Sequence, residues 1–139
     1  MKISKKAEYA LKAVIEIANH NQSKPLQIND ISKKRSIPVK FLEQILLTLK
    51  KNNILVSKRG ANGGYLLSKK SSDISIRVIL EAIDGPFEPI GLSPSNSLGN
   101  GLEECFREMI KMVNLHLNSY TIQDVVELDK NEDFIAFGI

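Results

Sequence analysis

The feature that most constrains the fold of this chain is a glycine-rich run, RGANGG, at residues 59–64. Glycine adopts positive φ without steric cost, so such a run lets the chain reverse direction within a few residues. The flanking segments, residues 56–59 and 65–68, can then pair as two short strands. The sequence therefore predicts a small β-wing with Lys58 and Arg59 near its tip.

The spacing of apolar residues predicts three helices before the wing. The first follows a Ser4 N-cap and ends at the turn of residues 19–21, and the second covers roughly residues 29–35. Pro38 is expected to be the first residue of the third helix, because a first-turn proline loses no hydrogen bond. The short connection at residues 36–37 is typical of a helix-turn-helix. The predicted core face of the third helix is Leu42, Ile45, Leu46 and Leu49.

The charged residues are unevenly distributed along the chain. Residues 1–70 contain 15 Lys plus Arg against 4 Asp plus Glu, whereas residues 71–139 contain 4 against 12. Clustered Lys and Arg are typical of a polyanion-binding face, since their contacts with phosphates release counterions. A solvated surface of varying charge is the alternative. The distribution favours a DNA-binding first half and a second half that serves assembly or sensing.

The outer face of the third helix supplies candidate DNA contacts. Lys40 and Gln44 can donate to phosphates or base edges, and Glu43 can accept a hydrogen bond from a cytosine amino group. Phosphates repel a carboxylate, so Glu43 would have to be a specificity residue. Leu47 lies on the same face, where it either contacts a thymine methyl group or packs under the wing, and packing is the favoured interpretation.

The second half begins with a helix that is capped by Ser75 and closed at residues 85–86. A long helix is predicted from Leu102 to Asn118. Its apolar stripe is broader than one small domain can cover, so we expect a second subunit to pack on it; burial within the same domain is the alternative. Thr121 with Asp124 has the pattern of a capping box that opens a final short helix. The expected dimer-interface residues are Leu102, Phe106, Met109, Ile110, Val113 and Leu117.

These elements define a mainly α-helical fold with a small β-wing (α+β). A winged helix-turn-helix domain is expected at residues 1–85, a flexible loop at 86–101, and a dimerisation helix with a C-terminal tail at 102–139. No secretory or membrane-spanning pattern is visible and there is one cysteine, as in a cytoplasmic protein. No catalytic set, metal cluster or phosphate loop is recognisable, so an enzyme is not expected. A winged-helix interaction protein that does not bind DNA is the alternative class.

Several segments together resemble the bacterial winged-helix repressors of the IscR/CymR type (the Rrf family), typified by the iron–sulfur cluster regulator and the cysteine-metabolism repressor. The matching segments are ISKKAEYAL at residues 3–11, FLEQIL at 41–46, the wing at 59–67, AIDGP at 82–86 and YTIQD at 120–124. The resemblance covers nearly the whole chain, and its wing signature is specific.

The resemblance implies a homodimer with crossing long helices, which sets two recognition helices in successive major grooves of a pseudo-palindromic operator. It implies that Glu43 and the Arg59-Gly60 pair read the base sequence, while Tyr9 and the lysines around it hold phosphates. Lys40 departs from the small hydroxyl residue of the cluster regulator, which puts the operator sequence in question. The expected DNA contacts are Lys5, Tyr9, Val39, Lys40, Glu43, Gln44, Ser57, Lys58, Arg59, Gly60 and Ala61.

The cysteine content distinguishes the branches of this family. Cluster-binding members carry three cysteines in the loop and the early long helix, whereas here Cys105 stands alone. A cluster needs several thiolate-type ligands per subunit, and His20 and His116 are not spaced to complete a set. No cofactor and no metal are therefore expected. Cys105 is interpreted as a small apolar residue, in preference to a redox-sensitive thiol or a labile site shared by two subunits.

The missing cysteines make the resemblance strongest to the cysteine-metabolism repressor, which implies cysteine synthase as a partner. That enzyme recognises a C-terminal isoleucine carboxylate, and this chain ends in Phe137, Gly138 and Ile139. A carboxylate beside an apolar side chain is a compact anchor for a site that binds an amino acid. These three residues are the expected partner contacts, and the enzyme's substrate O-acetylserine is expected to compete with them. Packing of the tail on the dimer is the alternative.

Overall fold

The computed structural model describes residues 2–91, 95 and 97–136, with side chains described through residue 132. Within these ranges the chain forms six α-helices and a two-stranded antiparallel sheet. The elements are α1 (Lys5–Asn19), α2 (Ile28–Arg35), α3 (Val39–Lys51), β1 (Leu55–Lys58), β2 (Gly64–Leu67), α4 (Ile76–Asp84), α5 (Asn100–Ser119) and α6 (Ile122–Ala136). A 3₁₀ turn, Ser71–Asp73, joins β2 to α4.

Side-chain hydrogen bonds define the ends of the first three helices. The Ser4 hydroxyl accepts a first-turn backbone N–H at 3.0 Å and caps α1, as predicted. Between α2 and α3, Ser36 adopts a left-handed backbone with φ 53° and ψ 45°, and the Ser32 hydroxyl donates to the Ile37 carbonyl at 2.6 Å. Pro38 is the N-cap of α3 rather than its first residue, because its ψ of 133° is extended. The connection is the tight one that a helix-turn-helix requires.

One hydrophobic core joins the N-terminal helices, the wing and the last helix. The core face predicted for α3 is fully buried. Ile122 and Val126 of α6 belong to the same cluster, so the chain returns to the first domain after α5. The predicted division at residues 85 and 101 therefore separates stretches of sequence that share a core. The buried cluster comprises Ala10, Ala13, Val14, Ile17, Leu26, Ile31, Ile37, Leu42, Ile45, Leu46, Leu49, Ile54, Leu55, Ile74, Ile79, Ile122 and Val126.

The two strands form the predicted wing, and the connection between α1 and α2 adds a third segment to it. Lys58 pairs with Gly64 at the end of the ladder, so Arg59 lies in the turn rather than in a strand. Leu26 donates its N–H to the Tyr65 carbonyl at 2.9 Å and accepts the Tyr65 N–H at 2.9 Å. The wing is thus hydrogen-bonded to the chain just before α2.

Gly64 makes this close approach possible. A Cβ at Gly64 would lie 2.5 Å from the Leu26 carbonyl oxygen, and the φ of +141° disfavours any residue with a side chain. The two backbones can therefore pair only where this strand carries a glycine.

The second half is held by two backbone bonds as well as by its caps. The Ser75 hydroxyl accepts a backbone N–H at 3.2 Å and caps α4, as predicted. The Ile76 N–H donates to the Tyr120 carbonyl at 3.0 Å, and the Ile122 N–H donates to the Ile74 carbonyl at 2.8 Å. These bonds join the start of α4 to the start of α6, so α4 and the end of α5 are fixed to each other.

The predicted capping box opens α6. The Thr121 N–H donates to Asp124 Oδ2 at 2.8 Å, and the Asp124 N–H donates to Thr121 Oγ1 at 3.1 Å. The expectation of a short helix here is wrong, because α6 continues to Ala136. Exposed polar side chains four residues apart stabilise this helix. For example, the Gln123 amide donates to Glu127 Oε1 at 2.9 Å. The mainly α-helical class with a β-wing is confirmed.

Candidate nucleic-acid interface

The outer face of α3 presents the polar row that the sequence predicts. Lys40, Glu43 and Gln44 are all exposed. Leu47 is 50% exposed, so its expected burial under the wing is wrong. The reason is helical geometry, since 3.6 residues per turn place Leu47 on the side of Lys40 and Gln44 and away from the core face. The exposed face of α3 therefore combines donors, one carboxylate and an apolar side chain.

The first turn of α3 adds exposed apolar surface. Phe41 is 58% exposed and Val39 is 37% exposed. Val39 was among the expected DNA contacts and Phe41 was not. Its exposure could have been predicted, because Phe41 precedes Leu42 and does not belong to the core face of α3. Pro38 supplies no side-chain cap, so the first N–H groups of α3 have no capping side chain.

The wing presents its turn to solvent. Lys58, Arg59, Gly60 and Ala61 are exposed, as expected for residues that contact a partner. The Gly63 N–H donates to the Gly60 carbonyl at 2.9 Å and closes the turn. A compact loop thus carries the two cations.

Two side-chain bonds attach the wing to the helix-turn-helix. Lys50, near the end of α3, donates from Nζ to the Ser57 hydroxyl at 2.7 Å. Gln27, at the start of α2, donates from Nε2 to the Ala61 carbonyl at 3.2 Å. Ser57, an expected DNA contact, is therefore also a partner of α3, and the structure brings α3 and the wing into one surface.

The cations of this surface differ from those of α2. Within the described part of the chain, Lys40, Lys58 and Arg59 have no ion pair. By contrast, Arg35 Nε lies 2.7 Å from Glu16 Oε2, and Lys34 Nζ lies 3.4 Å from Glu16 Oε1. Lys34 and Arg35 thus join α2 to α1, while the charges of Lys40, Lys58 and Arg59 are available to an external anion.

The expected phosphate anchors on α1 form a separate group. Lys5 Nζ lies 3.2 Å from Glu8 Oε1 and 5.2 Å from the centroid of the Tyr9 ring. Lys12 Nζ lies 2.8 Å from the same Glu8 oxygen. The hydrogen bond from Lys12, followed by that from Lys5, lowers the pKa of the Glu8 carboxyl below its ordinary value. Glu8 therefore competes with any phosphate for these two lysines.

The long helix α5 has no fully buried residue along its described length. Its half-buried residues include Val113 and Leu117, which line a cleft of about 470 Å³ together with Leu80 of α4. Helical spacing puts Phe106 and Ile110 on this same inner side. Two of the six expected interface residues, Val113 and Leu117, thus face the chain's own α4.

A second apolar row on α5 points outward. Leu102 is 49% exposed and Met112 is 70% exposed. Together with Cys105 and Met109 they repeat at spacings of three and four residues, which is the spacing of a helix–helix seam. We call Leu102, Cys105, Met109 and Met112 the outer row. The sequence did not separate this row from the inner one, since both fall within one broad stripe.

The residues present do not fit an iron–sulfur cluster. Cys105 is exposed on α5 and is the one cysteine of the chain. Across the described residues, no group of three or more His, Cys, Asp or Glu side chains is placed to hold a metal ion. A cluster needs several ligands in one place. One thiol on a helix does not provide them.

The comparison with known proteins identifies the family. A family model described as "Rrf2: Iron-dependent Transcriptional regulator" matches residues 3–128. The chain belongs to the Rrf2 family. It is 29% identical over 141 residues to the HTH-type transcriptional regulator IscR of Serratia proteamaculans, covering 98% of this chain and 84% of that protein. As an Rrf2 protein it is a DNA-binding transcriptional regulator and not an enzyme.

Solved structures agree with this assignment. CymR of B. subtilis, named the global cysteine regulator, has a TM-score of 0.81 at 26% identity, covering 92% of this chain and 98% of CymR. IscR of T. potens has a TM-score of 0.75 at 25% identity, covering 91% of this chain and 87% of that protein. The Rrf2 fold of this chain is thus similar to solved structures of both CymR and IscR.

Two expectations about this Rrf2 protein remain, one on its last three residues and one on membrane spans. Phe137, Gly138 and Ile139 lie outside the described residues. Among the helices that are described, none has the length and apolar character needed to cross a membrane.

Proposed function

We propose that this chain is a homodimeric repressor that binds a pseudo-palindromic operator through α3 and the wing. The observation that carries the proposal is that α3 and the wing each carry an exposed cation and are hydrogen-bonded to each other. Lys40 on α3 and Arg59 on the wing have no ion pair in the described residues, and the Lys50–Ser57 bond connects their elements at 2.7 Å. Unpaired cations on one surface favour a phosphate backbone as ligand.

The chemistry of α3 suits the major groove. Gln44 offers both a donor and an acceptor to an adenine edge, and Glu43 accepts from a cytosine amino group. Leu47, half exposed on the same side, suits contact with a thymine methyl group. This combination reads base edges as well as phosphates, which distinguishes an operator reader from a nonspecific binder.

The wing and α1 supply the remaining contacts in this proposal. Arg59 and Gly60 would read bases in a groove beside α3, and Lys58 and Ala61 would contact the backbone next to them. Lys5 and Tyr9 would hold a phosphate at the start of α1, once Lys5 exchanges Glu8 for the anion. The phosphate contacts would fix the position and orientation of the protein on the duplex, whereas the base contacts would read its sequence.

Dimerisation in this proposal uses the outer row of α5. Met112 is 70% exposed, and the row repeats at the spacing that packs one helix against another. Inner-row residues such as Val113 would support the interface from behind, since they face α4. A symmetric pair of long helices then sets the distance between two α3 helices.

Operator binding is tested with Glu43→Ala and Arg59→Ala. Each is expected to cost about 1–3 kcal/mol of operator binding, with Glu43→Ala relaxing the preference at its base pair. The measurement is a titration of labelled operator and of single-base variants at several salt concentrations. Affinity that depends little on salt and is unaffected by Arg59→Ala would instead indicate an interaction protein.

The signal in this proposal is tied to sulfur supply. Two observations support it: the chain has one cysteine, and the similar structure of CymR is named a global cysteine regulator. Cysteine synthase is the proposed partner, with contacts at Phe137, Gly138 and Ile139. O-acetylserine would compete for the enzyme's active site and release the repressor.

This signal is tested by titrating cysteine synthase with the full chain and with a chain that lacks residues 137–139. Binding that needs these residues and that O-acetylserine reverses would support the proposal. Equal binding by both chains, or binding by neither, would remove cysteine synthase as a partner through this segment. The operator titration is independent of either result.

A further inference from the structure

Gln27 occupies an unusual position for a residue at the start of a helix. It is the N-cap of α2, yet its side chain makes no capping hydrogen bond to that helix. Instead its Nε2 donates to the Ala61 carbonyl, 34 residues away, at 3.2 Å. Glutamine is too long for the usual N-cap bond, so the side chain is free to reach another element.

The acceptor lies at a functional position of the wing. Ala61 follows Arg59 and Gly60, and the turn is closed by the Gly63 N–H that donates to the Gly60 carbonyl. The Lys50–Ser57 bond fixes the wing at its base. The Gln27–Ala61 bond is a side-chain attachment at its tip.

We propose that Gln27 is a positioning residue that holds the wing tip, and with it Arg59, in a fixed orientation relative to the helix-turn-helix. The backbone bridge of Leu26 and Tyr65 anchors the middle of the wing, and Gln27 extends this anchoring to the turn. This inference rests on the proposed function, because it assumes that Arg59 contacts the operator.

The bond is exposed to solvent, so its loss leaves the fold intact. An exposed hydrogen bond exchanges readily with water and contributes little to folding. It does restrict the directions that the turn can take, and a preorganised contact loses less entropy on binding. The effect of Gln27 is therefore expected in DNA binding and in local motion.

The test compares Gln27→Met with Gln22→Met. Methionine keeps the length of the side chain, removes the donor and adds no charge near DNA. Gln22 is the matched control because its Nε2 donates to carbonyls at the end of α1, at 2.7 Å for Ile17, and not to any described residue of the wing. Gln27→Met is expected to weaken operator binding about 2- to 10-fold, and Gln22→Met to leave it unchanged.

A double-mutant cycle separates positioning from a general loss of affinity. In the Arg59→Ala background, Gln27→Met is expected to have a much smaller effect, because the side-chain contact that it chiefly positions is absent. In the Glu43→Ala background it is expected to show its full effect. Amide hydrogen exchange in residues 60–63 of the free protein should be faster in Gln27→Met, with an unchanged melting temperature.

The outcomes distinguish this inference from the proposed function. If Arg59→Ala does not weaken binding, the wing contact assigned in the proposed function fails. If Arg59→Ala weakens binding but Gln27→Met does not, or if Gln27→Met weakens binding equally in both backgrounds, the positioning role is overturned. Unchanged exchange in residues 60–63 overturns it as well.

Discussion

The two halves of this chain complete their packing to different degrees. α3, in the basic half, buries Leu42, Ile45, Leu46 and Leu49 completely. α5, in the acidic half, is longer and apolar on two sides but buries no residue completely over its described length. Opposite charge balances accompany this difference, with an excess of cations before residue 70 and of carboxylates after it.

The comparison shows that α3 buries its apolar face within the chain, whereas α5 leaves part of its apolar surface exposed. We call the first a finished surface and the second an unfinished one. A finished surface with unpaired cations suits a ligand that comes and goes, such as DNA. A helix with a bare apolar row is costly in water unless another apolar surface covers it. The two halves thus have different requirements, and each can be tested separately.

The largest expected effect comes from placing a charge in the outer row of α5. Met112→Glu is expected to convert the proposed dimer to a monomer, since a carboxylate buried without a partner in that interface is strongly unfavourable. Loss of the second half-site contact should then weaken operator binding by about 10²- to 10⁴-fold. Analytical ultracentrifugation gives the mass, and operator titration gives the affinity.

Lys111→Glu is the control for this prediction. It introduces the same side chain one residue earlier, on an exposed position that helical spacing turns away from the outer row. It should leave the dimer intact. A dimer that survives Met112→Glu would mean that the outer row is not the interface.

The next largest effect concerns the completed core. Leu46→Ala is expected to lower the free energy of unfolding by about 2–5 kcal/mol, because it empties a fully buried site. Leu47→Ala, one residue later and 50% exposed, should cost less than about 1 kcal/mol in stability. Urea denaturation measures both. Similar losses for the two variants would contradict the division of α3 into a core face and an exposed face.

The smallest effect is expected at Glu8, whose carboxylate neutralises part of the positive charge of Lys5 and Lys12. Glu8→Gln releases Lys5 and Lys12, which should steepen the salt dependence of DNA binding by about 0.9 for each phosphate gained. The logarithm of the affinity is plotted against that of salt concentration for the wild type and the variant. Glu104→Gln on α5 is a control with the same change of charge, and an equal slope in all three proteins would rule out the competition.

The pH dependence at Glu8 follows from its lowered pKa. The pKa in the folded protein lies below the ordinary value of 4.5, because Lys12 and then Lys5 donate to the carboxylate. The stability that this contact adds is therefore complete above about pH 4.5 and is lost as the pH falls through the folded pKa. Acid unfolding of Glu8→Gln should lack this contribution.

Sequence reasoning succeeded where one residue pattern determines one structure. The core face of α3 follows from helical periodicity, and the wing turn follows from glycines that accept positive φ. The Thr121–Asp124 capping box is equally local. Each of these features depends on residues within a few positions of one another, and each is present in the structure.

The features that sequence reasoning missed depend on contacts between distant residues. Leu26 joins the wing as a single bridged residue, which leaves no alternating pattern to detect. Gln27 and Ala61 are 34 positions apart. The inner and outer rows of α5 become distinct only once α4 covers one of them.

The pairing of Leu26 with Tyr65, permitted by Gly64, has a consequence for the spacing of bases within a half-site. Because the wing is bonded to the chain before α2, the proposed complex would hold a fixed distance between the bases at α3 and those at the wing tip. An extra base pair inserted within a half-site would move one set of contacts out of reach. The same insertion between half-sites changes only how two rigid readers are held apart. In the proposed complex, the wing would set the spacing of contacts inside each half-site, and the packing of the long helices would set the spacing between half-sites.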